Sequence, residues 1–212
     1  MKRIAGLLLL AGVLAVLAGC QTDQKKAETI RATLDDAVQL EQQVSTDQKE
    51  LAAERDQVEA IYEKVLAMKS ADTDAIQRLA GSHEVSAEKQ QLDAAIKDFQ
   101  AVHEKIMSIE SSIGSIKDDE QKAEAEKLLT LEDGRKKAMD AYFTAYKQQL
   151  DTETAFFDQL EQGKFDLKTI DEQVETINGA TGKMTDAIDR FNAATKQFNG
   201  AQQTYFNMAG LD

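Results

Sequence analysis

The chain has 212 residues, a formal net charge of −13 and 42% hydrophobic residues, which suits one domain or one extended bundle. It contains no proline, although average usage of about 5% predicts roughly ten, and helix interiors exclude proline because it lacks a backbone N–H. The composition therefore predicts a nearly all-α protein, and the acidity argues against nucleic acid as a partner because phosphate backbones repel it.

The first residues have the organisation of a secretory signal peptide. Lys2 and Arg3 precede an apolar run from Ile4 to Leu17. At a rise of ~1.5 Å per residue, this run covers roughly 21 Å, which is less than the ~30 Å hydrocarbon core of a bilayer. A signal peptide over residues 1–19 is therefore the better interpretation than a permanent transmembrane helix.

The apolar run ends in Leu17-Ala18-Gly19-Cys20, which resembles the bacterial lipobox. In proteins with that signature, the cysteine thiol receives a diacylglyceryl group and the chain is cut just before the cysteine. Cys20 is the only cysteine, so we predict lipid attachment there and no disulfide. The alternative is an ordinary signal peptide with an incidental cysteine. Apart from this covalent diacylglycerol, the sequence predicts no cofactor.

Residues 20–26 are predicted to be the lipidated cysteine and a short polar tether, and residues 27–212 a helical bundle domain. Loss of Lys2 and Arg3 with the signal peptide removes two positive charges and leaves −15. A first helical segment is predicted from about Ala27 to Lys69. Its apolar residues recur every seven positions, at Ala37, Val44, Leu51, Val58 and Val65. The middle of this seam is thin, because wider apolar coverage would be expected at Asp47, Gln48, Glu54 and Arg55.

Three further segments are predicted. The second runs to about Lys117 with an interruption at Gly81-Ser82, and the third begins at Asp118-Asp119 and ends at Gly163. The fourth, from about Asp166, keeps its period through its Asn-Gly pairs and is predicted to be one continuous helix. Four segments of about 40 residues predict an elongated antiparallel four-helix up-and-down bundle. A long coiled-coil dimer is the structural alternative.

The sequence contains few of the residue patterns that catalysis requires. His83 and His103 do not complete an H-E-x-x-H motif, and no glycine-rich phosphate loop, G-x-S-x-G motif or clustered metal-ligand spacing is present. We therefore expect no enzymatic activity and no metal site. His103 lies near the apolar stripe of the second segment and is expected to be a partly buried structural residue.

A row of polar residues marks the fourth segment. Asn178, Thr185, Asn192 and Asn199 are spaced by seven, so successive members lie ~10.5 Å apart along one line of a helix. Such amides can contact a repeating polymer, or they can bond to a neighbouring helix and fix its register. Ten of the twelve aromatic residues lie after position 140, where they either offer stacking surfaces to sugars or fill the core.

These C-terminal residues carry a family resemblance. Ile177-Asn178, then Phe191-Asn192-x-x-Thr195-x-x-Phe198-Asn199, and finally Tyr205-Phe206 resemble the C-terminal signature of the YkyA-type cell-wall-binding lipoproteins of Gram-positive bacteria. The chain departs from that signature at Thr181, Phe198 and Gln202. The resemblance implies a four-helix bundle, and it makes Asn178, Asn192, Thr195 and Asn199 the candidate ligand contacts.

The sequence thus predicts a lipid-anchored protein on the extracytoplasmic face of a Gram-positive cell membrane. Its non-enzymatic helical domain is expected to bind peptidoglycan or another envelope component. The alternative is a structural or adaptor lipoprotein that binds an envelope protein, or a second copy of itself as a homo-oligomer, through a helix face.

Overall fold

The structure is a computed structural model that describes the backbone of residues 4–67, 75, 78, 81–163 and 167–211. Side chains are described from Thr22 onward within these ranges, except those of residues 66, 82 and 167–171. The fold is an all-α helical bundle, as predicted from the sequence.

Four long helices and one helical turn make up the described chain. They are α1 Ile4–Ala67, α2 Ser82–Met107, α3 Glu110–Ile113, α4 Asp119–Glu161 and α5 Leu167–Met208. The predicted interruption at Gly81-Ser82 is confirmed, because α2 begins at Ser82. Gly163 follows the end of α4 with a φ of 64°, a left-handed conformation that glycine adopts without steric cost. Helix α5 continues through its Asn-Gly pairs, as expected.

Two boundaries differ from the sequence prediction. Helix α2 ends at Met107 rather than near Lys117. Directly after Met107, a serine hydroxyl bonds to the backbone, because Ser108 Oγ donates to the Lys105 carbonyl at 2.6 Å. Such local bonds compete with helical ones. Residues 21–26, predicted to be a tether, lie within α1 instead. Asp23 is only 4% exposed, and its carboxylate accepts the Asp118 N–H at 3.0 Å.

The chain divides into two compact units, each built from parts of all four long helices. Unit 1 comprises Met1–Gln39, Val102–Arg135 and Ala193–Asp212, and unit 2 comprises Leu40–Ala101 and Lys136–Asn192. Unit 1 thus joins the beginnings of α1 and α4 to the ends of α2 and α5. Within a unit, consecutive long helices run in opposite directions, which is the up-and-down arrangement.

Each unit has its own apolar core. The largest fully buried side chains of unit 1 are those of Ile30, Ile106, Ile109, Ile113, Leu128 and Tyr205, and those of unit 2 are Leu51, Leu92, Met139, Leu150, Phe156 and Phe157. All five residues of the predicted seam of the first helix are buried. In the described part of the chain, no helix has an apolar stretch long enough to cross a membrane.

Helix α5 buries its alanines rather than its larger apolar residues in unit 2. Ala180 and Ala187 are buried, whereas Ile177, Met184 and Phe191 are half-buried. A helix turns about 100° per residue, so a residue two positions before an alanine lies about 200° away from it. This rotation determines where the polar row of α5 lies.

Candidate functional site

A cluster of charged side chains is buried in unit 2. Glu88 on α2 and Glu153 on α4 have no exposed side-chain surface, and the Arg55 side chain on α1 is 13% exposed. Arg55 Nη1 donates to both carboxylate oxygens of Glu153, at 2.7 and 2.8 Å, and lies 3.6 Å from Glu88 Oε1. One guanidinium thus faces two carboxylates inside the helical bundle.

Burial changes the protonation of Glu88, and the neighbouring carboxylate of Glu153 adds to the effect. Burial raises its pKa to about 7, although Arg55 and a hydrogen bond from Tyr146 oppose the shift. Tyr146 Oη donates to Glu88 Oε1 at 2.6 Å, and burial raises the Tyr146 pKa as well, which keeps the phenol protonated as a donor. The second oxygen of Glu88 bonds to no described residue. Burial thus favours the neutral form of Glu88 more than it would for an ordinary glutamate.

A cavity of about 320 Å³ opens beside this cluster, between α1, α4 and α5 of unit 2. It is lined by Arg55, Glu59, Tyr62, Glu63, Gln149, Val174, Ile177, Asn178 and Thr181. Two of the lining groups connect it to the buried cluster, because Gln149 Nε2 donates to Glu153 Oε1 at 2.9 Å and Thr181 Oγ1 donates to Gln149 Oε1 at 3.3 Å. The cavity wall is therefore held in place by the same network.

The α1 side of the cavity combines charge, an aromatic ring and an unused hydroxyl. Glu59 and Glu63 are exposed at its edge, and Glu59 Oε1 lies 3.4 Å from Arg55 Nε. The Tyr62 ring stacks on Phe156 with centroids 4.7 Å apart. The Tyr62 hydroxyl is buried and bonds to none of the residues that the structure describes. The stacked Tyr62 ring therefore gives this side of the cavity a fixed aromatic surface.

A second buried network lies in unit 1, and its charges balance more closely. Arg135 Nη1 donates to Glu132 Oε2 at 2.9 Å, and Arg135 Nε donates to Thr195 Oγ1 at 3.2 Å. The guanidinium lies 5.1 Å from the centre of the Phe198 ring, within the range of a cation–π contact. His103 Nδ1 lies 3.1 Å from Glu132 Oε1. The half-buried His103 thus has the structural role expected of it.

The structure separates the four predicted ligand contacts into two groups. Asn178, Asn192 and Asn199 are exposed, whereas Thr195 is half-buried and holds Arg135. Asn178 and Asn199 precede the buried Ala180 and Ala201 by two positions, so the burial of these alanines turns both asparagines to solvent. The row therefore does not fix helix register. Asn178 also lines the cavity, and the side chain of Cys20 lies outside the described residues.

Comparison with known proteins assigns the family. A family model described as "Putative cell-wall binding lipoprotein" matches residues 25–208. The chain belongs to this YkyA family. A crystal structure of a conserved protein of unknown function from Staphylococcus aureus is similar, with a TM-score of 0.65 and 19% identity over 88% of this chain and 95% of that chain; this likeness shows the fold alone. No curated protein matches the chain.

The structure shows what two C-terminal residues contact: Thr195, which matches the YkyA signature, and Phe198, which departs from it. Thr195 and Phe198, both in the C-terminal motif, contact Arg135 from α5. They therefore stabilise unit 1 rather than present a free surface. Most of the described aromatic residues after position 140 likewise fill the core, including Phe143, Tyr146, Phe156, Phe157, Phe198, Tyr205 and Phe206.

Sequence reasoning missed the buried cluster of unit 2 although its signal was present. Glu88 lies between the buried Val85 and Leu92, and Glu153 lies between the buried Leu150 and Phe157. Both glutamates thus occupy core-facing positions of a three-and-four spacing, as Arg55 does in α1. Opposite charges at core-facing positions of neighbouring helices indicate a buried ion pair rather than a gap in the seam. Among the described residues, no group of three His, Cys, Asp or Glu side chains is arranged to hold a metal ion.

Proposed function

We propose that this YkyA-family protein is held by a diacylglyceryl group on Cys20 at the extracytoplasmic face of a Gram-positive cell membrane. From there its bundle binds the cell wall without catalysis. The lipobox and the family's description as lipoproteins support the anchor. Two acyl chains at ~0.8 kcal/mol per buried CH₂ suffice for stable membrane attachment.

The observation that carries wall binding is the exposed asparagine row of α5. The side chains of Asn178, Asn192 and Asn199 are exposed, and no described residue hydrogen-bonds to their amides. Each amide offers two donors and an acceptor with two lone pairs. Their spacing along one line of the helix suits a ligand that repeats, such as a polymer of amide-bearing sugars.

Cosedimentation with purified sacculi tests this proposal. The protein, extracted from membranes in mild detergent, is mixed with sacculi at physiological salt and compared with Asn192→Ala/Asn199→Ala. Gln197→Ala is the matched control, because it removes an exposed amide about 160° round the same helix from Asn199. Circular dichroism checks that each variant is folded.

We expect retention of wild type and the control, and at least a tenfold loss for the double variant. Equal retention of wild type and the folded double variant would remove the row from the binding surface. Failure of wild type to sediment would contradict wall binding itself.

A second candidate function is that of an adaptor that binds a protein through α5. The observation that favours it is the half-buried apolar stripe of α5 in unit 2, which includes Val174, Ile177, Met184, Ile188 and Phe191. Such a stripe gains stability when a partner covers it. Light scattering distinguishes the self-associating form of this function, which a strict monomer contradicts.

A further inference from the structure

The charged residues around the cavity of unit 2 favour binding of a cation over binding of an anion. Two carboxylates, Glu59 and Glu63, lie at its edge, and Glu88 and Glu153 are buried close to it. Among the described residues that line it, Arg55 is the one basic residue, and its guanidinium is already engaged by Glu153 and by Glu59. A negative potential therefore remains at the opening, and a low-dielectric wall strengthens it.

The neutral groups of the cavity favour a polar organic ligand over a bare ion. Asn178 and Thr181 contribute an exposed amide and an exposed hydroxyl from α5. The Val174 and Ile177 side chains supply an apolar wall. A few polar groups placed around an apolar wall are characteristic of sites that orient small ligands.

From this arrangement we infer that the cavity receives a primary ammonium group carried on a polar segment of the wall polymer. This inference rests on the proposed function and names the chemistry of one contact. The ammonium lies at the Glu59 and Glu63 edge, and the attached polar segment bonds to Asn178 and Thr181. About 320 Å³ is near the lower limit of ligand pockets, which suits one sugar unit or one amino-acid side chain.

Two components of a peptide-bearing polysaccharide can supply that ammonium: a sugar with a free amino group, or the side-chain amine of a diamino acid. Four probes separate these sources. Glucosamine and Nα-acetyl-lysine each carry the charge, while N-acetylglucosamine and Nα,Nε-diacetyl-lysine are their uncharged counterparts. Titrations of the full chain in detergent, followed by NMR shifts of labelled side-chain amides, measure weak binding directly.

Two variants of equal charge test the location. Glu59→Gln/Glu63→Gln removes both carboxylates at the cavity edge, and Glu175→Gln/Asp186→Asn removes two exposed carboxylates of unit 2 that do not line the cavity. Because all four side chains are exposed, both variants should fold. The control separates a local contact from the effect of net charge.

We expect at least one amine to bind wild type and the control within twofold of each other, and at least tenfold more weakly to Glu59→Gln/Glu63→Gln. The acetylated counterparts should bind at least tenfold more weakly than the amines. Which amine binds identifies the source. Absence of amine binding, equal binding of the acetylated probes, or equal weakening in both variants would overturn the inference.

Sacculus cosedimentation of the same variants distinguishes this inference from the proposed function. If wild type sediments and Glu59→Gln/Glu63→Gln sediments equally well, the cavity contact is wrong while wall binding stands. If wild type does not sediment, wall binding is wrong, and the amine titration alone decides whether the cavity accepts an ammonium group.

Discussion

The two units bury charge in different ways. In unit 1, Glu132 is matched by Arg135 on one side and His103 on the other, and Thr195 takes up a further guanidinium donor. In unit 2, the Arg55 guanidinium forms ion pairs with both Glu88 and Glu153, and a cavity opens beside it. When buried charges of opposite sign are matched, the main cost to stability is their desolvation. An unmatched buried charge adds a further free-energy penalty, which a second charge of opposite sign can reduce. The difference indicates matched charges in the unit 1 network and an excess of carboxylate in the unit 2 network.

The largest expected effect comes from removing the guanidinium of unit 2. Arg55→Met leaves Glu88 and Glu153 buried without a cation, and we expect the free energy of unfolding at pH 7.5 to fall by about 3–5 kcal/mol. Urea denaturation followed by circular dichroism measures it.

Arg135→Met is the matched change in unit 1. It should cost less than Arg55→Met, because it leaves one buried carboxylate without its guanidinium rather than two, and His103 Nδ1 stays 3.1 Å from Glu132 Oε1. If the unit 1 variant lost as much stability as the unit 2 variant, the two networks would not differ in balance as described.

The second prediction concerns the pH dependence of stability. The Glu88 pKa is about 7 in the folded chain against 4.5 for an ordinary glutamate, so ionisation costs the folded state more than the unfolded one. This contribution is absent below the unfolded pKa and lowers stability as pH rises from about 4.5 to about 7. Glu88→Gln cannot ionise, so it should gain about 3 kcal/mol relative to wild type over that interval.

Denaturation curves at pH 4.5, 6 and 8 check this prediction. Glu175→Gln is the control, since it changes an exposed glutamate of unit 2 and should follow wild type at every pH. A constant difference between Glu88→Gln and wild type across the series would show that burial does not disfavour the charged form of Glu88.

The smallest expected effect lies in unit 1. Thr195→Val keeps the shape of the side chain but removes the acceptor of the Arg135 Nε–H, which should lower stability by about 1 kcal/mol. Thr195→Ser restores an acceptor and should recover most of the loss. If the valine variant were as stable as wild type but lost sacculus binding, Thr195 would be a ligand contact rather than a support for Arg135.

Much of the fold was predictable because the relevant signals are local or periodic. The seven-residue seam of α1 placed Ala37, Val44, Leu51, Val58 and Val65 in the core, where all five are buried. Gly163 could be identified as the end of α4 because few other residues adopt a positive φ. The end of α2 could not be predicted in the same way, since the apolar stripe continues through Ile109 and Ile113, across the break between α2 and α3.

The candidate site was predictable only in part. The heptad spacing found the asparagine row, but a line beside an apolar stripe can face either the core or solvent. The row is exposed because Ala180 and Ala187 are buried instead. Their burial depends on how closely α5 packs on its neighbours. The cavity and the Arg55 cluster unite side chains from α1, α2, α4 and α5, and sequence spacing does not report such distances.

Cosedimentation of the membrane-extracted protein with purified sacculi at physiological salt tests the central claim most directly. Our account predicts that wild type is retained and that Asn192→Ala/Asn199→Ala, with its fold intact, is lost at least tenfold. A wild-type protein that stays in the supernatant would contradict wall binding and favour a protein partner for the apolar stripe of α5.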